Sequence, residues 1–145
     1  LALSMVSEDT TDVDALKQIY NYVVNNLTYD YDKAETVETG YLPDVDETLS
    51  TKTGICFDYA ALTTAMLRSC DVPCKLQIGY TGDIKHAWID VYIRSKGWVT
   101  GAVSFNGDSW SLMDPTFDSS ADSDDTEAIQ DYIGNADNYT VQFTR

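Results

Sequence analysis

One segment of the chain constrains the fold more than any other, because it is a helix-forming run without charge. Residues 59–67 are only Tyr, Ala, Leu, Thr and Met, and the nearest charges are those of Asp58 and Arg68. A helix that is uncharged on every face is usually buried in the middle of a fold. The sequence therefore predicts a central helix from Cys56 to about Arg68. It ends before Pro73, because proline cannot continue the hydrogen-bond ladder.

The second half of the chain supplies a sheet that this helix can pack against. Runs rich in β-branched and aromatic residues predict strands at Lys75–Tyr80, His86–Ile93, Trp98–Phe105, Trp110–Met113 and Tyr139–Phe143. The second run alternates, which is typical of an antiparallel strand with one covered face. One predicted face comprises Ala87, Ile89, Val91 and Ile93, and the other comprises His86, Trp88, Asp90 and Tyr92.

The first half of the chain begins with an amphipathic helix. Apolar residues recur with helical spacing over 12–27, and Thr11 with Asp14 forms a variant of the capping box at its start. The acidic stretch 32–52 is predicted as a loop. After Pro115 we expect a solvated loop at 118–125 and a short helix at 126–133. Helices followed by strands predict an α+β fold, with residues 1–145 forming a single domain.

Charge limits the partners of the domain. The net charge is −15, from 24 acidic and 9 basic residues. Nucleic acid is excluded, because binding it rests on phosphates neutralised by Lys and Arg. Charge-free stretches fall short of the roughly 18 apolar residues of a membrane span, so we expect no membrane insertion by this segment. The chain begins with Leu rather than Met, and we expect a fragment of a longer precursor whose signal or anchor is absent.

The three cysteines are Cys56, Cys70 and Cys74. A Cys70–Cys74 disulfide with a free Cys56 fits a secreted or cell-surface domain, which is the location we expect. Three reduced thiols, two of them buried, fit the count equally well. We expect neither metal nor cofactor, since His86 is the only histidine and no CxxC is present. The acidic loop 118–125 also lacks the glycine-centred spacing of a calcium site.

Cys56 occupies a position that favours reactivity. At a helix N-terminus the unpaired backbone N–H groups and the positive end of the dipole stabilise a thiolate. The same N–H groups can receive the oxyanion of a tetrahedral intermediate. Gly54 permits a sharp bend without a Cβ clash. Taken alone, a cysteine at such a position is more often a packed residue than a nucleophile.

A nucleophilic thiol needs a base, and the base needs an orienting group. His86 is the candidate base. Asp114, in the run that ends Asp114-Pro115, is the best candidate for the acid. Asp90 shares a strand face with His86 but lies too far along the strand, and Asp83 in a turn comes third. Each residue alone is more often structural, so the hypothesis rests on their combination and order.

These residues fall in motifs that resemble those of a known family. Gly54-Ile55-Cys56, His86-Ala87-Trp88 and Asp114-Pro115-Thr116-Phe117 match, in order, motifs of the transglutaminase-like superfamily, in particular its small bacterial members. The similarity covers about four-fifths of the chain. It implies a papain-like α+β core, in which a buried helix headed by the cysteine packs on an antiparallel sheet. It also implies a catalytic triad of Cys56, His86 and Asp114, and favours Asp114 over the other two aspartates.

The implied chemistry is acyl transfer or hydrolysis at protein or peptide amide bonds through a thioester. Trp88 and Tyr31 are candidate substrate-binding residues, and Trp98, Trp110 and Tyr29 are further aromatic candidates for the cleft walls. The alternative is a non-catalytic scaffold that serves as a cell-surface binding module. The chain departs from the family by extra residues before Asp114, which predict an additional hairpin there. Oligomeric state is left open by the sequence.

Overall fold

The structure, a computed structural model, describes residues 1–81, 84–105, 110–112 and 140–144, with the backbone alone at 80–81, 84–86, 104–105, 110–111 and 140–143. Within these ranges a 3₁₀ turn at Ala2–Ser4 precedes four helices: α1 Asp12–Asn26, α2 Tyr31–Thr36, α3 Val45–Thr51 and α4 Cys56–Ser69. The strands are β1 Thr28–Tyr29, β2 Thr53–Gly54, β3 Cys74–Thr81, β4 Ile84–Ile93, β5 Gly97–Phe105, β6 Trp110–Leu112 and β7 Thr140–Thr144.

The two long helices form where the sequence predicts them. At the start of α1 the Thr11 hydroxyl accepts a hydrogen bond from the Asp14 backbone N–H at 3.1 Å, which confirms the predicted cap. Helix α4 ends at Ser69, and Asp71, two residues beyond it, adopts the left-handed region at φ 58°. The Val72 N–H then donates to the Leu67 carbonyl at 3.0 Å, which satisfies a carbonyl of the last turn before Pro73. No helix in the described part of the chain is long and apolar enough to cross a membrane.

Five of the described strands form one antiparallel sheet in the order β6-β5-β4-β3-β7. The pairing of β5 with β6 is the additional hairpin that the sequence predicts. Helices α1 and α4 pack together, and α4 also packs on β3 and β4. The α+β prediction is therefore confirmed, with the uncharged helix between α1 and the sheet.

The alternation of β4 matches its predicted faces. Ala87, Ile89, Val91 and Ile93 are all buried in the main core. The opposite face is less exposed than predicted, because Trp88 and its partner in register, Gln77, are also buried. The sheet is thus covered on both faces at this point, whereas the sequence predicted one covered face.

A chain of polar contacts crosses four strands on that second face. Gln77 donates from Nε2 to Asp90 Oδ2 at 3.0 Å, and the Gly101 backbone N–H donates to Asp90 Oδ1 at 2.9 Å. The Thr144 hydroxyl donates in turn to Gln77 Oε1. The pairing of β4 with β5 shifts register between Ile89 and Val91, so Asp90 satisfies a backbone group at this irregularity.

The predicted loop over 32–52 is wrong, because it contains most of α2 and the whole of α3. Both helices are short and begin at an aspartate cap. Asp30 accepts from the Lys33 N–H at 2.9 Å, and Asp44 accepts from the Glu47 N–H at 3.0 Å. The predicted last strand is present as β7. The predicted loop at 118–125 and helix at 126–133 lie outside the described residues.

Candidate active site

Cys56 is the first residue of α4 and is half-buried. Ile55 caps the helix in an extended conformation, and its backbone N–H donates to Asp58 Oδ2 at 2.8 Å. The N–H groups of the first turn of a helix have no acceptor within the helix, so they create a positive potential at this end. The thiol of Cys56 therefore lies where an anion is stabilised.

Gly54 is required here for a reason other than the predicted bend. It lies in β2 and shows no positive φ. A Cβ on Gly54 would lie 2.6 Å from the Asp58 Cβ and 2.9 Å from its Oδ2. Atoms do not approach so closely, and Asp58 is fixed by its bond to Ile55. Glycine at this position admits the carboxylate that caps the helix of Cys56, which corrects the interpretation as a backbone bend.

Cys56 opens into a cavity of about 300 Å³. A parallel pairing of β1 with β2 brings the chain after α1 against the chain before α4, with Tyr29 in register with Gly54. The cavity walls come from β1, α2, the segment after α2, the start of α4 and the strands β3 and β4. The lining residues are Tyr29, Ala34, Val37, Glu38, Thr39, Gly40, Tyr41, Ile55, Cys56, Phe57, Ile78 and Ala87.

The strand register places the backbone of His86 beside this cavity. Ile78 and Ala87 are paired between β3 and β4 and both line the cavity. His86, which precedes Ala87, pairs with Gly79. The His86 side chain is not among the described atoms, and Asp114 lies outside the described residues. The structure thus places Cys56 at a cavity whose lining includes Ala87, the residue after His86, and the triad itself stays a prediction.

The two other candidate acids differ in what the structure describes. Both carboxylate oxygens of Asp90 accept hydrogen bonds, one from Gln77 and one from Gly101. Asp90 therefore has a structural role within the sheet, in agreement with its lower rank as a candidate. Asp83 lies outside the described residues.

The aromatic candidates for substrate contact are placed differently from one another. Tyr31 is 62% exposed, and its ring packs edge-on against Tyr29 in the cavity wall, with centroids 4.8 Å apart. Trp88 is 1% exposed and is not among the residues lining the cavity, so it offers no surface to a substrate here. Trp98 pairs with Tyr92 near the end of β4, away from the cavity, and packs against Lys75. Among the aromatic candidates whose side chains the structure describes, Tyr29 and Tyr31 fit the surroundings of the cavity, and the side chain of Trp110 lies outside the described atoms.

Cys70 and Cys74 are free cysteines in this structure, as is Cys56. The buried Cys74 thiol donates to the Thr64 carbonyl at 3.6 Å. Burial raises the pKa of the Cys74 thiol, although Arg68 acts in the opposite direction. Cys74 is thus a packed thiol, in contrast to Cys56. Among the residues that the structure describes, no group of three or more His, Cys, Asp or Glu is arranged to hold a metal ion.

Comparison with known proteins decides the family. A family model described as the transglutaminase-like superfamily matches residues 1–115. The chain belongs to this superfamily. The match covers all the described elements up to β6, and it ends within the Asp114-Pro115 motif.

Two named proteins are similar in sequence to this transglutaminase-like chain. It is 42% identical over 57 residues to UPF0252 protein MJ1282 of Methanocaldococcus jannaschii, covering 36% of the chain. It is 28% identical over 120 residues to the uncharacterised protein YebA of Bacillus subtilis, covering 69% of the chain. The chain spans 16% of the length of each of these relatives.

Three solved structures share the transglutaminase-like fold of the chain. A protease candidate from Parabacteroides distasonis is 20% identical, with a TM-score of 0.54. The similarity covers 66% of this chain and 21% of the protease candidate. A cysteine protease candidate from Cytophaga hutchinsonii is 17% identical, with a TM-score of 0.52. The similarity covers 90% of this chain and 35% of that protein. A protein named TGase is 21% identical, with a TM-score of 0.51. The similarity covers 73% of this chain and 28% of that protein. The predicted papain-like and transglutaminase-like fold is confirmed.

Three residues around Cys56 were missed by the sequence analysis of this transglutaminase-like domain. Asp58, fully buried, accepts from the Tyr41 hydroxyl at 2.5 Å. Lys33 Nζ lies 3.1 Å from Asp58 Oδ2 and 4.6 Å from the centroid of the Tyr41 ring. The available signal was the charge of Asp58 at the start of an otherwise uncharged helix. Because such a carboxylate needs partners, it points to a buried pair.

Proposed function

We propose that this domain performs acyl transfer or hydrolysis at protein or peptide amide bonds, through a thioester formed on Cys56. One observation carries the proposal: Cys56 heads a buried helix and lines a cavity of about 300 Å³. A thiol with access to a substrate and an N-terminal helix dipole beside it is the arrangement of a reactive cysteine. Membership of the superfamily supports a thiol-enzyme fold in general terms.

In the proposed reaction the Cys56 thiolate attacks the carbonyl carbon of an amide, and the C=O electron pair moves onto the oxygen. N–H groups at the start of α4 receive that oxyanion. Collapse of the intermediate breaks the C–N bond, and the amine leaves with a proton from the His86 imidazolium. Asp114 would hold the imidazole in the required orientation. Water or an amine, deprotonated by His86, then attacks the thioester and releases the Cys56 thiolate.

The cavity lining supports an acyl donor with an uncharged, apolar group next to the reacting carbonyl. Val37, Phe57 and Ile78 present apolar side chains there, and Glu38 is the one charged residue among the described lining residues. Glu38 is exposed, so its carboxylate interacts with solvent at the rim. Apolar walls give affinity by burying apolar surface of the ligand.

Iodoacetamide labelling against pH tests the proposal, with the modified cysteine identified by mass spectrometry of the peptides. Cys56 is expected to react faster at pH 6–7 than a free cysteine peptide, whose pKa is about 8.5. The buried Cys74 serves as an internal reference and is expected to stay unmodified while the protein is folded. His86→Ala is expected to slow the labelling of Cys56 near neutral pH.

If Cys56 reacts no faster than the free peptide and His86→Ala changes nothing, the catalytic proposal fails and the non-catalytic scaffold is favoured. If labelling succeeds, a library of glutamine-containing peptides with a primary amine separates the two outcomes of the thioester. Incorporation of the amine identifies crosslinking, and release of ammonia or of a shortened peptide without incorporation identifies hydrolysis.

A further inference from the structure

A buried carboxylate lies within one helical turn of the proposed nucleophile. Asp58 is the third residue of α4 and is 0% exposed. Its Oδ2 accepts from the Ile55 N–H at 2.8 Å, and its Oδ1 accepts from the Tyr41 hydroxyl at 2.5 Å. Removing a carboxylate from water is costly unless it is both hydrogen-bonded and paired with a positive charge.

Lys33 of α2 supplies that positive charge. Its Nζ lies 3.1 Å from Asp58 Oδ2, and its side chain is 32% exposed. Partial burial lowers the pKa of Lys33, but the hydrogen bonds to Tyr41 and Asp58 outweigh it and leave the pKa above its ordinary value. Lys33 is therefore charged throughout the neutral range.

These three residues join three separate segments at the cavity. Lys33 lies on α2, and Tyr41 ends a turn in which its N–H donates to the Glu38 carbonyl at 3.2 Å. Asp58 belongs to the helix of Cys56. Because α2 and this turn form one wall of the cavity, the cluster of Lys33, Tyr41 and Asp58 fixes that wall to the helix.

The charge balance of the cluster bears directly on Cys56. A thiolate and an unpaired carboxylate on the same helical turn repel, and each disfavours the ionisation of the other. We propose that Lys33 is a positioning residue for Cys56: by neutralising Asp58 it removes a net negative charge within one helical turn of the thiol and so favours the thiolate. This rests on the proposed function of Cys56 as the nucleophile.

Among the described residues that line the cavity, no other group replaces this pair. From β1 and from the turn after α2, Tyr29 and Tyr41 bring phenol groups rather than carboxylates, and Glu38 is exposed to solvent. From the sheet, Ile78 and Ala87 are uncharged, and His86 of β4 is the proposed base. Asp58 is thus the buried carboxylate closest in sequence to the thiol.

The test is a double-mutant cycle of charge removal, read out by the rate of Cys56 carbamidomethylation between pH 5 and 10. Lys33→Met leaves Asp58 unpaired and is expected to raise the apparent pKa of Cys56 by about one unit, or about tenfold in rate below that pKa. Asp58→Asn is expected to lower the apparent pKa of Cys56. The double variant Lys33→Met/Asp58→Asn removes both charges, and its midpoint is expected to return to within about 0.3 units of the wild type.

Two controls separate charge from structure. Lys52→Met removes the same charge at an exposed position before the helix and is expected to leave the midpoint unchanged, because solvent screens it. Lys33→Arg keeps the charge, and Cys56 in this variant is expected to show the same titration midpoint as in the wild type. If Lys33→Met does not fold, as judged by circular dichroism, Lys33→Gln, which keeps hydrogen-bonding capacity, replaces it in the cycle.

An unchanged midpoint in Lys33→Met, or a double variant that titrates like Lys33→Met alone, overturns the inference. A purely structural role predicts slower or faster labelling at every pH with no shift of the midpoint. The proposed function fails separately, when the wild-type Cys56 itself titrates like a free cysteine peptide. The differences among variants decide the role of Lys33 in either case.

Discussion

At Gly54 a single hydrogen in place of a side chain determines whether the helix of Cys56 can begin where it does. Gly54→Ala would place a Cβ 2.6 Å from the Asp58 Cβ, so the buried carboxylate must move. We expect the free energy of unfolding to fall by about 2 kcal/mol, because the site is overpacked and a helix cap is disturbed. Urea unfolding followed by circular dichroism measures it, and a loss below about 0.5 kcal/mol would show that Asp58 relaxes freely.

The sequence predicted residues at this scale only in part. Cys56 was identified, because a cysteine at the start of an uncharged helix is visible in the sequence. The partners of Asp58 were not, because Lys33 and Tyr41 are 25 and 17 positions before it. Contacts over such separations depend on how the segments fold back, which single-sequence patterns do not encode. Gly54 was recognised as special, but its reason is a side-chain contact that only the structure shows.

At the scale of the element, α2 forms a wall of the cavity, and Ala34 lines it. Ala34→Phe is expected to fill part of the cavity. A benzyl-bearing alkylating agent should then modify Cys56 about tenfold more slowly, since an apolar group no longer fits, while the small iodoacetamide keeps its rate. Mass spectrometry of the Cys56 peptide gives both rates.

Glu35→Phe is the matched control for that substitution, because Glu35 is exposed on the same helix and does not line the cavity. It should leave both rates unchanged. Equal slowing of the two reagents by Ala34→Phe would instead indicate a general loss of access or folding, and would remove the support for an apolar group in the cavity.

Helices α2 and α3 show why parts of the fold escape the sequence. Each has fewer than eight residues, so apolar periodicity has too few turns to appear. Each helix is marked in the sequence by its cap. Asp30 accepts a hydrogen bond from the backbone N–H of Lys33, three residues later, and Asp44 accepts one from the backbone N–H of Glu47 at the same spacing. In an acidic stretch these caps are hidden among many other carboxylates. The long helices and strands were predicted because their patterns extend over several repeats.

The polar contacts across the sheet give a second prediction at this scale. Asp90→Ala leaves the Gly101 N–H and the Gln77 amide without their acceptor in a part-buried region. The free energy of unfolding is expected to fall by about 1–3 kcal/mol, the cost of burying unsatisfied polar groups. Asp9→Ala, at an exposed position near the N-terminus, is the control and should change it by less than about 0.5 kcal/mol. Equal values for the two variants would mean that the contact does not stabilise the sheet.

At the scale of the whole molecule, the order of the elements brings the site together. Helix α4 lies against β3 and β4, so Cys56 meets the paired positions of Ile78 and Ala87 at one end of the sheet. The sequence predicted this arrangement through the resemblance of its motifs to those of the transglutaminase-like superfamily. Hydrophobic patterning alone predicts strands but not the order in which they pair. Strand order depends on long-range pairing, and the order β6-β5-β4-β3-β7 was therefore not predicted.

The stability of the whole molecule should fall at alkaline pH. Burial raises the pKa of Tyr59 from 10.0 to about 12. Burial, and to a smaller extent the hydrogen bond to Asp58, also raises the pKa of Tyr41. The pKa of Lys33 is raised as well. A folded-state pKa above the unfolded one contributes stability below the unfolded pKa, which is lost as pH rises through the folded pKa. The free energy of unfolding is thus expected to fall between pH 10 and 12, with about 2 kcal/mol from Tyr59.

Urea unfolding at fixed ionic strength from pH 8 to 12 measures this loss. Fixed salt is needed because each ionised tyrosine adds to the self-repulsion of a chain whose net charge is already −15. Tyr59→Phe removes the titration of the group whose pKa is raised to about 12 and should flatten the dependence of the unfolding free energy on pH above pH 10. Tyr22→Phe is the matched control, because it removes one hydroxyl from a half-buried tyrosine of α1. If Tyr59→Phe and Tyr22→Phe lose stability equally between pH 10 and 12, self-repulsion rather than the buried Tyr59 hydroxyl accounts for the alkaline loss.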